Sequence, residues 1–126
     1  MPVSVKDLMA AANAVVPRIT PEEARDLLAG EDALVLDVRD APEVAASGKL
    51  KGALNVSRGM IEFRADADTP YHDPAFRKDR TIVVYCASGG RSALVGKTLR
   101  DMGYDKVMNL GAFKDAKEAG LETEGG

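Results

Sequence analysis

Residues 81–92 read TIVVYCASGGRS, a run of β-branched and apolar residues that passes directly into a cysteine, two glycines and an arginine. The first part, Thr81 to Tyr85, predicts a strand at the centre of a sheet, because β-branched and aromatic residues suit a strand covered on both faces. The last part predicts a helix that begins near Ser92 and ends at Gly103. The stretch therefore indicates a strand, a tight loop and a helix in succession, with Cys86 at the junction.

Strand-length apolar runs and helical patterns alternate on both sides of this stretch. Such alternation is typical of a parallel sheet that is covered by helices on both faces, so the sequence predicts the α/β class. The other predicted strands are 33–38, 54–56 and 106–110, and the other predicted helices are 21–30, 41–46, 59–63 and 112–119.

A further helix is expected before this alternation begins. Ser4 and Asp7 have the spacing of a capping box, and the apolar face of the helix would comprise Val5, Leu8, Met9 and Ala12. A chain of 126 residues can bury one core but is too short for two. We therefore expect a single domain over residues 1–126, with a core at about 17–122 and an added N-terminal helix at about 4–15.

Composition narrows the classes of function. The chain has 17 basic and 20 acidic residues in an interspersed pattern, which predicts no nucleic-acid partner. No apolar stretch has the length of a membrane span and no signal-peptide pattern is present, so we expect a soluble, cytoplasmic protein without a membrane partner. With Cys86 and His72 as the only cysteine and histidine, an internal disulfide is excluded and no metal site is expected.

Cys86 is expected at the carboxyl edge of the sheet and close to the start of a helix. Backbone N–H groups of the tight loop and of the first helical turn would converge there, and the helix dipole adds partial positive charge. Both effects favour a thiolate and lower the pKa of a cysteine. Gly89 and Gly90 allow the backbone to curl and to adopt positive φ, while Arg91 adds a cation beside the sulfur.

The alternative is that Cys86 is a small packing residue, which is the commonest role of a cysteine after a buried strand. A packing role requires neither paired glycines nor a loop serine and an arginine in front of a helix. The whole segment therefore favours a functional thiol.

The segment from Cys86 to Ser92 resembles the active-site loop of the rhodanese family, in which four residues separate a cysteine from an arginine. The resemblance covers about residues 19–121 and implies a three-layer fold around a mostly parallel sheet of about five strands. The family's N-terminal signature is similar to Leu36 to Arg39, followed by Glu43 and by Gly52 to Val56. Its C-terminal signature is similar to Asn109 to Ala112 and Ala119 to Leu121.

The resemblance implies a sulfurtransferase. In that class the Cys86 thiolate would take a sulfane sulfur from a donor such as thiosulfate, hold it as a persulfide and pass it to cyanide or to a thiol. No cofactor would be required, and a protein could replace either small molecule as a partner in sulfur transfer. The residues that would bind the substrate and the transferred sulfur are Ala87, Ser88, Gly89, Gly90, Arg91 and Ser92.

Two alternative functions stay open. The chain could be a persulfide carrier or protein-interaction module with little turnover of small molecules. It could also be a phosphatase or an arsenate reductase, although related enzymes of those types carry five residues between cysteine and arginine. The shorter loop in this sequence suits one sulfur atom better than a tetrahedral oxyanion.

Several residues outside the loop are candidates for supporting roles. Asp37 and Arg39 are expected to hold the fold by pairing with backbone or with nearby charges such as Glu43. Arg58 and Arg64 would, by the resemblance, lie near the mouth of the site and attract an anionic donor, or they are ordinary surface arginines. Ser92 has two possible roles, since its hydroxyl could bond the sulfur or cap the helix. His72 is expected to be a solvated loop residue.

Overall fold

The computed structural model describes residues 2–125. The helices are α1 (Val5–Val15), α2 (Pro21–Gly30), α3 (Ala41–Ser47), α4 (Ile61–Ala65), α5 (Gly90–Asp101) and α6 (Phe113–Glu118), and a 3-10 helix, Arg58–Met60, precedes α4. The strands are β1 (Leu34–Asp37), β2 (Lys49–Leu50), β3 (Leu54–Asn55), β4 (Ile82–Cys86), β5 (Val107–Ala112) and β6 (Thr123–Glu124). None of the helices in this part of the chain is both long and apolar enough to cross a membrane.

The main sheet is parallel and has the strand order β3-β1-β4-β5. The predicted α/β class, with a mostly parallel central sheet, is confirmed. An isolated parallel bridge between Arg18 and Asn109 extends the sheet beyond β5. Strand β4 lies between β1 and β5, which fixes Cys86 at the carboxyl edge, where it pairs with Ala112.

The two faces of the sheet are covered by different helices, which gives the three layers. Val83 and Tyr85 point to the face that contains residues of α2 and α6. Ile82, Val84 and Cys86 point to the opposite face, which contains residues of α4 and α5. All five residues of β4 have no solvent exposure. Burial on both faces explains the uninterrupted apolar run, because alternate side chains of a strand point in opposite directions.

Some predicted boundaries were wrong. Helix α5 begins at Gly90 instead of Ser92, and α6 begins at Phe113 instead of Ala112, which belongs to β5. A small antiparallel sheet of β2 and β6 was not predicted. Two-residue strands are too short to show a periodic pattern, and this pair is joined by a salt bridge between Lys49 and Glu124.

Helix α1 packs on α5, but its predicted apolar face was partly wrong. Ala12 is buried, whereas Val5 and Leu8 are exposed. Just after the C-terminal end of α1, Val16 lies against Gly96 of α5. At this point the absence of a side chain on Gly96 leaves room for Val16. The extent of the domain core over about 17–122 stays a prediction.

We expect Gly96→Ala to destabilise the protein, although alanine favours a helix by about 1 kcal/mol over glycine. The added methyl carbon would lie 2.8 Å from Cγ1 and 2.9 Å from Cγ2 of Val16, a branched side chain with little freedom to turn. Overpacking of this kind costs about 1–3 kcal/mol, which urea unfolding can measure. In a Val16→Ala background, Gly96→Ala should no longer lower the free energy of unfolding. An equal loss of stability in both backgrounds would contradict the packing argument.

Candidate active site

The Cys86 sulfur lies at the start of α5 and accepts hydrogen bonds from backbone amides. The N–H of Gly89 donates to Sγ at 3.0 Å, and the N–H of Ser92 donates at 3.4 Å. Gly89 is the N-cap residue of α5 and has no side chain that could cap the helix. The sulfur of Cys86 therefore takes the place of an N-cap side chain.

Only one of the two loop glycines is required by the backbone. Gly89 has φ +99°, a left-handed conformation that favours glycine, and its amide donates to the sulfur. Gly90 is not among the glycines with positive φ, and a Cβ atom there would meet no atom within 4 Å. Both glycines were expected to allow the loop to curl, but only Gly89 adopts the conformation that needs glycine. Gly90 is the first residue of α5.

The pKa of the Cys86 thiol is lowered by its surroundings. Burial of the residue raises this pKa, but the hydrogen bonds that the Ser92 hydroxyl and the amides of Ser92, Ser88 and Gly89 offer to a thiolate lower it more. The net direction is toward the ionised form. The hydrogen-bond donors of the loop and the first helical turn together thus outweigh burial, in the direction expected from the sequence.

The sulfur is covered as well as stabilised. Cys86 has no solvent-exposed surface, whereas Ala87 and Ser88, which follow it in the loop, are exposed. A donor molecule therefore cannot reach Sγ in this conformation. The buried polar surroundings keep water from the sulfur in the conformation described here.

Ser92 lies inside α5 and does not cap it. Its side chain is fully buried, and its Oγ lies 3.4 Å from the Cys86 sulfur and 2.7 Å from Oδ1 of Asn109. It is the third residue of the helix, and its hydroxyl also lies 3.1 Å from the carbonyl oxygen of Gly89. Of the two predicted roles for Ser92, the structure supports contact with the sulfur.

Arg91 pairs with Glu43 of α3. Its Nη1 and Nη2 donate to the two carboxylate oxygens at 2.7 and 2.9 Å. Glu43 was one suggested partner of Asp37 and Arg39, but its carboxylate bonds Arg91 instead, because the fold brings α3 against the start of α5. Arg91 and the backbone amide of Asp40, the residue before α3, lower the pKa of Glu43 to about 2, and Glu43 raises the pKa of Arg91.

Asp37 and Arg39 form a buried ion pair with each other. Nη2 of Arg39 lies 2.6 Å from the Asp37 carboxylate and donates to the carbonyl oxygen of Gly48 at 2.7 Å, while Nη1 donates to Ser47 at 2.8 Å. The guanidinium carbon also lies 4.4 Å from the centre of the Phe113 ring. These contacts join the end of β1 to the end of α3 and to the start of α6.

The remaining sequence candidates lie outside this network. Arg58 and Arg64 are exposed on the 3-10 helix and on α4, and no side-chain hydrogen bond joins them to the loop in the described part of the chain. His72 is a loop residue but is partly buried, not freely solvated. Within residues 2–125, no group of three or more histidine, cysteine, aspartate or glutamate side chains is arranged to hold a metal ion.

Two residues near the loop were not predicted as site residues. Asn109 is buried on β5 and contacts Ser92, and the Arg18 guanidinium lies against the backbone of Gly111 and Gly89. A Cβ atom at Gly111 would overlap that guanidinium, and Gly111 has φ +95°. Arg18 is brought to the loop by its bridge to Asn109, a contact that no local sequence pattern could reveal.

The fold and the loop define an α/β protein with a thiol held at a helix start. Residues 20–119 match the family profile of the Rhodanese-like domain. The chain belongs to the rhodanese family.

Known proteins support this assignment. The chain is 34% identical over 110 residues to the thiosulfate sulfurtransferase GlpE of Actinobacillus succinogenes, covering 84% of this chain and 88% of the relative. A Rhodopseudomonas palustris structure described as a possible tyrosine phosphatase has a TM-score of 0.90 and 35% identity, covering 98% and 96% of the two chains. The polysulfide-sulfur transferase homodimer of Wolinella succinogenes has a TM-score of 0.75 and 32% identity, covering 96% and 87%.

We expect Gly89→Ala and Gly90→Ala to differ in their effects. At Gly89 a side chain must adopt a left-handed conformation, which costs about 1–2 kcal/mol and displaces the amide that bonds Sγ, so stability falls and the thiol pKa rises. At Gly90 the methyl group enters open space, so both quantities should stay close to those of the wild type. Urea unfolding measures the stability, and the pH dependence of thiolate absorbance measures the thiol pKa. Equal changes of both quantities in the two variants would refute the distinction.

The pair of Arg91 and Glu43 predicts a pH dependence of stability. The pKa of Glu43 is lowered from 4.5 to about 2, so the pair stabilises the fold above pH 4.5 and loses this contribution as the pH falls through 2. Because both side chains are about one-third exposed, we expect Glu43→Gln to cost at most about 1 kcal/mol at pH 7. Urea unfolding should show the gap between wild type and variant closing between pH 4.5 and 2; a gap that widens would contradict the sign.

Proposed function

We propose that this protein is a sulfurtransferase that moves a sulfane sulfur from a donor such as thiosulfate to cyanide or a thiol through a persulfide on Cys86. The observation that carries the proposal is the position of Sγ, which accepts the amides of Gly89 and Ser92 at the start of α5. These donors favour the thiolate, which is the nucleophilic form of cysteine. The sulfurtransferase names of its relatives support the same reaction class.

In the first step the Cys86 thiolate attacks the outer sulfur of thiosulfate. A bond forms between Sγ and that sulfur, and the bond between the two sulfur atoms of thiosulfate breaks. Its electron pair leaves with sulfite, and the negative charge of the enzyme passes to the terminal sulfur of the persulfide. No proton and no external oxidant is needed.

In the second step cyanide or a thiolate attacks the terminal sulfur of the persulfide. The new bond forms at that sulfur, the bond to Sγ breaks, and the electron pair returns to Cys86 as the thiolate. In this scheme the terminal sulfur lies among the N–H groups of Ala87 through Ser92, of which those of Gly89 and Ser92 already donate to Sγ.

The other candidate residues have supporting roles in this proposal. Asp37 and Arg39 hold the end of β1 and α3, and α3 in turn carries the partner of Arg91. Arg58 and Arg64 attract an anionic donor as exposed cations at the rim. Movement of the loop admits the donor, because the sulfur is covered by the fold.

A phosphatase is the second candidate, because a similar structure is described as a possible tyrosine phosphatase. Four residues separate Cys86 from Arg91, and the guanidinium of Arg91 is engaged by Glu43. A phosphate group would need that cation and a wider loop, so sulfur transfer is the better match. Cys86-dependent hydrolysis of an aryl phosphate without formation of a persulfide would favour the phosphatase.

A persulfide carrier would use the same cysteine with a protein as donor or acceptor. It would load rapidly from a protein partner and slowly from thiosulfate. Comparing the rate of persulfide formation with thiosulfate and with a cysteine desulfurase distinguishes this version from an enzyme that turns over small molecules.

We expect the wild-type protein to form thiocyanate from thiosulfate and cyanide, and to gain the mass of one sulfur atom with thiosulfate alone. Cys86→Ser should lose both, because it removes the only thiol. Colorimetric detection of thiocyanate and intact-protein mass spectrometry provide the two measurements. His72→Gln, which changes a loop residue outside the site, serves as the control and should keep the wild-type rate. Turnover that survives Cys86→Ser would end the proposal.

A further inference from the structure

Asn109 is a buried polar residue that contacts the site indirectly. Only 2% of its surface is exposed, and its carboxamide contacts Ser92 and the loop backbone. Oδ1 lies 2.7 Å from Oγ of Ser92, and Nδ2 donates to the carbonyl oxygen of Gly89 at 3.3 Å. The opposite orientation of the amide would place two oxygens 3.3 Å apart, so the contact with Gly89 fixes Oδ1 toward Ser92.

The contact between Asn109 and Ser92 determines where the serine proton lies. A carboxamide oxygen carries no hydrogen, so two oxygens 2.7 Å apart must share the single hydroxyl proton of Ser92. Ser92 then presents only a lone pair to the Cys86 sulfur, 3.4 Å away. In this arrangement Ser92 accepts a hydrogen bond from a neutral S–H group, and it can donate to a thiolate only by giving up its bond to Oδ1 of Asn109.

We propose that Asn109 is a positioning residue that holds the Ser92 proton away from Cys86 and thereby favours the neutral thiol in the resting site. The proposal rests on the proposed function, because it concerns the same nucleophile. When Cys86 ionises, Ser92 can donate to Sγ only by leaving Oδ1 of Asn109, a buried acceptor, without its partner. That cost opposes the stabilisation which the loop amides provide.

Removal of Oδ1 should release the serine proton to the sulfur. The other acceptor near Oγ is the carbonyl of Gly89, which already accepts from the amide of Ala93 and is uncharged. A thiolate is the stronger acceptor, because hydrogen bonds to an ion are stronger than those between neutral groups. The released proton therefore stabilises the ionised form of Cys86.

The charged groups around Cys86 are the same in every variant of the test. The end of β1 contributes the pair of Asp37 and Arg39. Helix α5 contributes Arg91, and α3 contributes its partner Glu43. Arg18 lies beside Gly89. None of them contacts Asn109 through a side-chain hydrogen bond in the described part of the chain. A difference between variants at position 109 therefore reports on the carboxamide and on Ser92.

We expect Asn109→Leu to lower the thiol pKa by about one unit, a tenfold rise in its acid dissociation constant, measured by thiolate absorbance against pH. The same change in a Ser92→Ala background should have no such effect, because the carboxamide acts through the hydroxyl. Val107→Ala, a core change on β5, is the matched control for a loosened sheet and should leave the pKa unchanged. An unchanged or raised pKa in Asn109→Leu, or an equal shift in both backgrounds, would overturn the proposal.

A second measurement needs no change at position 109. Cys86 is the only cysteine, so the infrared S–H stretch of the protein arises from this residue alone. Below the thiol pKa we expect a lowered S–H frequency that rises in Ser92→Ala, because Ser92 accepts the S–H proton. A wild-type frequency equal to that of a free thiol would refute the proposal. Both readouts work without a sulfur donor, so they can fail or succeed independently of thiocyanate formation.

Discussion

The backbone N–H groups that converge on the sulfur of Cys86 are the feature on which the site depends. A helix must satisfy its first amides, and α5 begins with a glycine that offers no side chain for this purpose. The sulfur accepts two of them, from Gly89 and Ser92. The same two bonds cap the helix and stabilise a thiolate, so the local fold and the chemistry have a common cause.

That arrangement requires a rigid support, which the sheet provides. Strand β4 is paired on both sides and its residues are fully buried, so the end of the strand has little freedom to move. The buried pair of Asp37 and Arg39 fixes the neighbouring strand end and α3. Helix α3 carries Glu43 to Arg91, so the charge beside the loop is already balanced within the protein.

Much of this could be predicted from the sequence because its causes are local. The apolar run of β4 and the capping boxes of α1 and α2 are short-range signals, and the structure contains each of them. The interpretation of Cys86 as a thiol at a helix start required only the order of strand, loop and helix. Contacts between residues distant in sequence were missed, such as the pair of Glu43 and Arg91. The extent of an apolar face was also misjudged, because Val5 and Leu8 remain exposed.

The sequence by itself determined the class of fold, the position of Cys86 at the edge of the sheet and the pair of glycines that lets the loop curl. These follow from hydrophobic pattern, from the conformational freedom of glycine and from residues that adjoin in the chain. Only the tertiary structure decided that the sulfur is covered, that Ser92 bonds Asn109 and that Arg18 lies on the loop. The reason is physical: such contacts join residues up to about ninety positions apart, and their distances depend on how the layers pack, which no local pattern records.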